Sequence, residues 1–74
     1  MKRQSVESSN LASVGYDVAK QILEIEFNHG GIYQYYNVPI SIYNGLMNAS
    51  SHGTYFDTNI KKAGYRYKKI SWYG

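Results

Sequence analysis

Apolar and polar residues alternate along the first half of the chain and recur every three to four positions in the second. Strands are therefore expected first and helices after them. From Leu11 to Val18, Ala12, Val14, Tyr16 and Val18 recur at period two with Ser13, Gly15 and Asp17 between them, the pattern of a half-buried strand weakened at Gly15. In Gln21 to Phe27, Leu23, Ile25 and Phe27 alternate with Glu24 and Glu26, which places three large apolar groups on one face and two carboxylates in solvent. Asn28-His29-Gly30-Gly31 supplies residues that tolerate positive φ, as a hairpin connection needs. A third strand is expected from Ile32 to Val38, with Ile32, Tyr36 and Val38 on one face and Tyr33 and Tyr35 on the other. With large groups on both faces it belongs inside its sheet. The Tyr33 and Tyr35 face is either covered by a helix or open as an aromatic platform.

Pro39 ends that strand and can open a helix. Ile40, Tyr43, Leu46 and Met47 fall at helical spacing, so a helix is expected over residues 40–49, weakened by Gly45. Ser50-Ser51-His52-Gly53 breaks it, and Thr54 followed by Asp57 resembles a capping box that would start a second short helix. Phe56, Ile60 and Ala63 share one face of that helix, Lys61 and Lys62 lie off it, and Gly64 suits its C-terminal cap. Tyr65 and Tyr67 then alternate with Arg66 and Lys68, as in an extended segment ending near Ile70. Trp72 and Tyr73 either fray or pack back on the sheet. The expected fold is α+β: a three-stranded antiparallel meander, then two short helices packed on one face, with a closing C-terminal strand as the option left by Tyr65 to Ile70. Residues 5–70 read as one domain and 71–74 as a tail.

Size narrows the functional classes. A chain of 74 residues buries roughly 60% of its unfolded surface and has an expected radius of gyration of about 11 Å. Large enzymes, doubly wound sheets and barrels are excluded. With no cysteine there is neither a disulfide framework nor a thiolate zinc site, and a reducing cytosol is the expected compartment. Met1-Lys2-Arg3 is basic, but no apolar run follows it, so neither a signal peptide nor a membrane span is expected.

Charge is segregated. The formal net charge is +3, yet residues 4–60 hold one lysine and all five acids, whereas residues 61–69 hold Lys61, Lys62, Arg66, Lys68 and Lys69 with no acid. A one-sided basic segment is a footprint for polyanions, although lysines at a helix end and on a solvated strand face serve solubility equally well. The aromatic content points the same two ways. Nine tyrosines, two phenylalanines and one tryptophan suit a shallow core or a wet binding surface, since tyrosine joins an apolar ring to a polar tip. Tyr36 and Tyr43 are the expected core rings. Tyr33 and Tyr35 are either core or a platform on which unpaired bases stack, with one ring buried and one open as an intermediate case.

Catalysis finds no support in the residue pattern. His29 and His52 fall in expected turns with no carboxylate at a metal-ligand spacing, so both read as solvated turn residues and no metal is expected. Ser51 beside His52 says nothing about triad geometry, Glu24 and Glu26 read as a water-facing pair, and Gly30-Gly31 sits in a hairpin and not before a helix. Ser51 and Gly53 read as residues that break one helix and cap the next.

Several spaced elements nevertheless occur in an ordered set. The run Tyr33-Gln34-Tyr35-Tyr36-Asn37-Val38-Pro39, then Ala49-Ser50-Ser51-His52-Gly53, then Tyr55-Phe56 and Ile60, resembles the KTSC domain family. Val6-Glu7-Ser8-Ser9-Asn10-Leu11 with Gly15-Tyr16 resembles the opening of the same family, so the likeness spans about residues 6–67. The family is named for its place at the C-terminus of some lysyl-tRNA synthetases, also occurs as short stand-alone bacterial and phage proteins, and has a central Tyr-x-Tyr, here Tyr33 and Tyr35. It has no established activity; its place beside a tRNA-charging enzyme implies an RNA-binding role. The joint expectation is a non-enzymatic, cytoplasmic binding domain without cofactor, taking RNA or other single-stranded nucleic acid on Tyr33, Tyr35, Lys61, Lys62, Arg66, Lys68 and Lys69. The alternative is a protein-interaction or self-assembling module, such as a phage-type inhibitor or an oligomer enclosing a nucleotide-like ligand.

Overall fold

The alternation in Leu23, Glu24, Ile25, Glu26 and Phe27 organises the sheet, because its apolar side must be covered and its polar side need not be. The computed structural model describes residues 1–71. Five strands, β1 (Arg3–Ser5), β2 (Leu11–Asp17), β3 (Ile22–Phe27), β4 (Ile32–Tyr35) and β5 (Tyr67–Ser71), form one antiparallel sheet in chain order. Between β4 and β5 the chain forms α1 (Ile40–Asn48) and α2 (His52–Phe56), the latter continued by a π-helical segment over Asp57–Lys61. The α+β meander with two helices is as expected, and the closing C-terminal strand is present. The Cα radius of gyration is 10.9 Å, the value a fully collapsed chain of this length should have.

β1 has no counterpart in the sequence reading. It holds Arg3, Gln4 and Ser5, with no apolar alternation to betray it, and pairs with β2 so that Arg3 lies opposite Gly15. Gly15 is the reason this works. A Cβ there would lie 2.8 Å from the Lys2 carbonyl oxygen and 3.0 Å from Arg3 Cγ, so only glycine lets the N-terminal strand lie this close.

Two bulges shift the alternation. Ala12 is the extra residue between Leu11, paired with Phe27, and Ser13, paired with Glu26. Leu11 and Val14, three apart in sequence, are therefore both buried in the core. Val18 falls in the turn after β2 and is exposed. In β5, Ile70 is the extra residue between Lys69, opposite Tyr33, and Ser71, opposite Ile32.

The expected third strand ends at Tyr35, short of Val38. Asn37 has φ 57, and this left-handed residue turns the chain so that Val38 enters the same core cluster as Tyr35. Tyr36, expected in the core, instead lies half-buried on the other face and donates to Gln34 Oε1 at 3.3 Å. Tyr43 is packed against the core, stacked on Tyr16 with ring centroids 5.0 Å apart.

The helices meet the sheet through Leu46, Phe56 and Ile60, which close over Leu11, Val14, Leu23, Ile25, Tyr35 and Val38. Gly45 is a packing requirement, since a Cβ would fall 2.6 Å from Tyr55 Cζ on the neighbouring helix. The cap of α2 differs from expectation. Ser51 is the N-cap, its Oγ accepting from the Thr54 N–H at 3.2 Å, so the helix starts before Thr54 and no Thr54–Asp57 box forms. His52 is not a solvated turn residue: its Nδ1 lies 2.8 Å from the Leu46 carbonyl oxygen, which also takes the long 3.4 Å bond from the Ala49 N–H at the end of α1, and because a carbonyl only accepts, Nδ1 carries the proton. Ala63 is exposed beyond the last helical turn, and Gly64 takes φ 86 as a terminating residue should. The expectations for Trp72 and Tyr73 lie outside the described residues.

The sheet face away from the helices carries a polar chain. Arg3 is ion-paired with Glu24 and donates from Nε to Ser13 Oγ at 2.9 Å; Ser13 donates to Glu26 Oε1 at 2.8 Å, and Gln34 Nε2 donates to Glu24 Oε1 at 2.9 Å. Glu24 is therefore 5% exposed, not in solvent. Its charge is tolerated because both of its oxygens have partners.

Candidate aromatic cleft

Strand alternation sends Tyr33 and Tyr35 of β4 and Tyr67 of β5 to the helix side of the sheet, and Phe27 of β3 joins them from the hairpin. The rings form a continuous contact series. Phe27 meets Tyr33 edge-on at 5.4 Å, Tyr33 and Tyr35 lie nearly parallel at 6.5 Å, and Tyr67 sits 6.0 Å from Tyr33 and 5.6 Å from Tyr35. Phe56 of α2 closes one end, 5.4 Å from Phe27 and 5.5 Å from Tyr35. The helices cover only part of this series, because α1 and α2 pack over β2 to β4 and leave the β5 edge open. The result is a cleft of about 440 Å³ with an aromatic floor and His29, Lys61 and Tyr65 around it.

The Tyr-x-Tyr pair is thus divided. Tyr35 is buried at 6% exposure, and burial first, then the neighbouring Tyr33 and Tyr67, pushes its hydroxyl pKa above the usual tyrosine value. Tyr33 is half-buried and reaches the cleft. Tyr67 is 63% exposed, a large ring left in water at the edge of a very small protein.

The five basic residues do not form one patch. Lys61 lines the cleft, and Lys69, two residues beyond Tyr67 on β5 and opposite Tyr33, lies on the same side by strand alternation, its Nζ 5.6 Å from the Tyr33 ring centre. Lys68 lies opposite Gln34 and so faces the polar side of the sheet. Lys62 is turned to Asp57, with Nζ 3.2 Å from Oδ2. Arg66 is exposed in the link before β5, where its backbone carbonyl accepts from the Tyr36 N–H at 2.9 Å. Of the residues singled out by sequence, Tyr33, Tyr35, Lys61 and Lys69 are brought together, and Lys62 and Lys68 are held apart from them.

Phe27, His29 and Phe56 were not expected as site residues. His29 stacks on Phe27 with centroids 5.3 Å apart and rings only 5° from parallel, which extends the aromatic surface toward the hairpin tip. The signal available was the two-residue spacing of Phe27 and His29, which keeps them on one side. Beside the cleft, sharing Phe27, His29, Phe56 and Lys61, is a second depression of about 500 Å³ that adds Ser9, Asn10, Asn28 and Asp57. Among the described residues no helix is long and apolar enough to cross a membrane.

A two-layer α+β domain with a partly covered aromatic sheet edge is the class that fold and site define. The family model for the KTSC domain matches residues 7–70. The crystal structure of a KTSC domain protein from Yersinia pestis is similar to this fold with a TM-score of 0.89 and 41% identity, over 95% of this chain and 97% of that one. An uncharacterised protein of Stutzerimonas stutzeri is 44% identical over 70 residues, covering 95% of this chain and 99% of its own. A lysine–tRNA ligase of a Nostoc species is 37% identical over 65 residues, 88% of this chain but 11% of the ligase. The chain belongs to the KTSC domain family.

Proposed function

We propose that this chain binds single-stranded nucleic acid, RNA in particular, by stacking a base in the aromatic cleft, and that it does so without catalysing a reaction. The observation that carries the reading is Tyr67, an exposed ring lying against Tyr33 and Tyr35 at the open end of a cleft flanked by Lys61 and Lys69. Aromatic rings on a sheet offer π-faces to bases of any sequence, and cations beside them neutralise phosphates. The similarity to a segment of lysine–tRNA ligases adds support from the company the domain keeps.

Because two cations flank the cleft, the salt dependence should be shallow. Two phosphate contacts give a log–log slope of roughly −1.4, or about 7-fold weaker binding between 50 and 200 mM salt. Titration of a labelled single-stranded RNA at low salt tests the reading. Tyr67→Ala should weaken binding by the loss of one stacked base, about 1–3 kcal/mol. Absence of binding by the unmodified chain at low salt overturns the proposal.

A second reading uses the same edge. Among the described residues β5 pairs with β4 on one side only, and it carries Tyr67 and the 43%-exposed Ile70, so another chain could add to it. Lys68 and Lys69 on that strand oppose pairing with a copy of itself and favour an acidic partner. Native mass measurement separates the two readings: a monomer that shifts with RNA and not with an acidic, strand-forming peptide supports the first, and one that shifts with the acidic peptide and not with RNA supports the second.

A further inference from the structure

We infer that the polar depression beside the aromatic cleft is a ribose subsite that makes the chain prefer RNA to DNA, an inference that rests on the nucleic-acid reading above. The two depressions share Phe27, His29, Phe56 and Lys61, so a base seated against Tyr33 and Tyr67 has its sugar-phosphate within reach of the second depression. What lines that depression decides which part of a nucleotide it accepts.

Ser9, Asn10, Asn28 and Asp57 line it, with Lys61 at the boundary. A phosphate group requires converging donors of positive charge, and the Asp57 carboxylate opposes one. The Lys62 partner of Asp57 does not reverse this, because both side chains are substantially exposed and the pair is screened by water. A sugar hydroxyl has the opposite requirement. It donates to a carboxylate or amide oxygen and accepts from an amide or ammonium, and an acidic side chain that accepts from ribose hydroxyls is a recurrent device in nucleotide-binding folds. The 2′-OH is the group that separates RNA from DNA at such a contact.

The wall of the depression is held in place before any ligand arrives. Ser8 Oγ accepts from the N–H groups of Asn10 and Leu11 at 3.2 Å each, Asn28 Nδ2 donates to the Ser8 carbonyl at 2.9 Å, and the Asn28 N–H donates to the Asn10 carbonyl at 2.8 Å. With its amide nitrogen engaged, Asn28 offers its side-chain oxygen as an acceptor. Gly53 lets this loop rest on α2, since a Cβ there would be 3.3 Å from Ser8 Oγ. Little ordering entropy then remains to oppose binding.

The test compares oligouridylate with oligodeoxyuridylate of equal length at low salt, two strands that differ only at the 2′ position. The unmodified chain should bind the RNA strand about tenfold more tightly, the size of one hydrogen bond to a charged group. Asp57→Ala and, as an independent variant, Asn10→Ala should each bring the ratio close to one while leaving DNA binding unchanged or slightly stronger, with thermal melts confirming that both are folded. Equal binding of the two strands by the unmodified chain overturns the ribose subsite and leaves the nucleic-acid reading standing. Binding of neither strand overturns both.

Discussion

On the helix side of β3 and β4, Leu23, Ile25 and Tyr35 lie under α1 and α2 and are held by apolar contact, whereas on the opposite side Glu24 and Gln34 of the same two strands are held by directed hydrogen bonds to Arg3 and to each other. The first arrangement tolerates an open end, and the aromatic series runs on into a cleft where Tyr67 meets water. The second does not, because a buried carboxylate that loses a partner is costly in a way that an exposed ring is not. Both faces are built from one two-residue alternation. They differ in what crosses over them: two helices on one side, and a three-residue strand with one arginine on the other.

That contrast can be broken most severely at its apolar centre. Tyr35→Ala removes a ring in contact with Phe56, Tyr33 and Tyr67 and should cost about 3–5 kcal/mol, enough to unfold much of a domain this small in a denaturant titration. Arg3→Ala should cost less, about 2–3 kcal/mol, by leaving Glu24 with Gln34 as its neighbour. The Arg3→Ala/Glu24→Gln double variant should recover part of that loss, and strict additivity in the cycle would show that the two side chains do not cooperate.

Alkaline pH sharpens the same comparison with a smaller effect. The folded-state pKa of Tyr35 is raised, and that of Tyr16 is also raised, by burial and then by the Asp17 carboxylate. A raised pKa means that the stabilising contribution is complete below the unfolded tyrosine value near 10 and is lost as pH climbs above it. Each such tyrosine should lower stability by at most about 1.4 kcal/mol per pH unit there, and Tyr35→Phe should flatten the profile measured by denaturant midpoints between pH 9 and 11.5. Smallest of all, Tyr67→Ala should change stability by about 1 kcal/mol or less, since it removes partial ring contacts at an exposed edge. A large loss of stability in that variant would mean that the cleft is an extension of the core.

Much of the fold can be read without coordinates. The alternation in β2 and β3, the Gly30-Gly31 hairpin, the helical spacing of Tyr43, Leu46 and Met47 and the Tyr-Lys pattern of β5 each reflect a local geometric period. β1 could not be read that way. Gln4 and Ser5 have no preference that marks a strand, and the pairing exists because Gly15, twelve residues beyond Arg3, leaves room for it. The same limit applies to the site. Tyr33, Tyr35, Lys61 and Lys69 are selected by type, but Lys68 and Lys69 look alike in sequence: alternation puts them on opposite faces, and only the register of β5 on β4 sets Lys69 opposite Tyr33 and Lys68 opposite Gln34.

The KTSC family membership, the meander and the presence of ambiguous tyrosines follow from the sequence, because side-chain period and motif order are properties of the chain itself. Which tyrosine is core and which is surface follows only from the tertiary structure. Tyr35 is buried because Phe56 arrives over it from α2, Tyr67 is exposed because nothing crosses β5 there among the described residues, and Glu24 leaves solvent because Arg3 crosses over it. Periodicity states which side chains share a face; burial depends on what a distant segment lays upon that face.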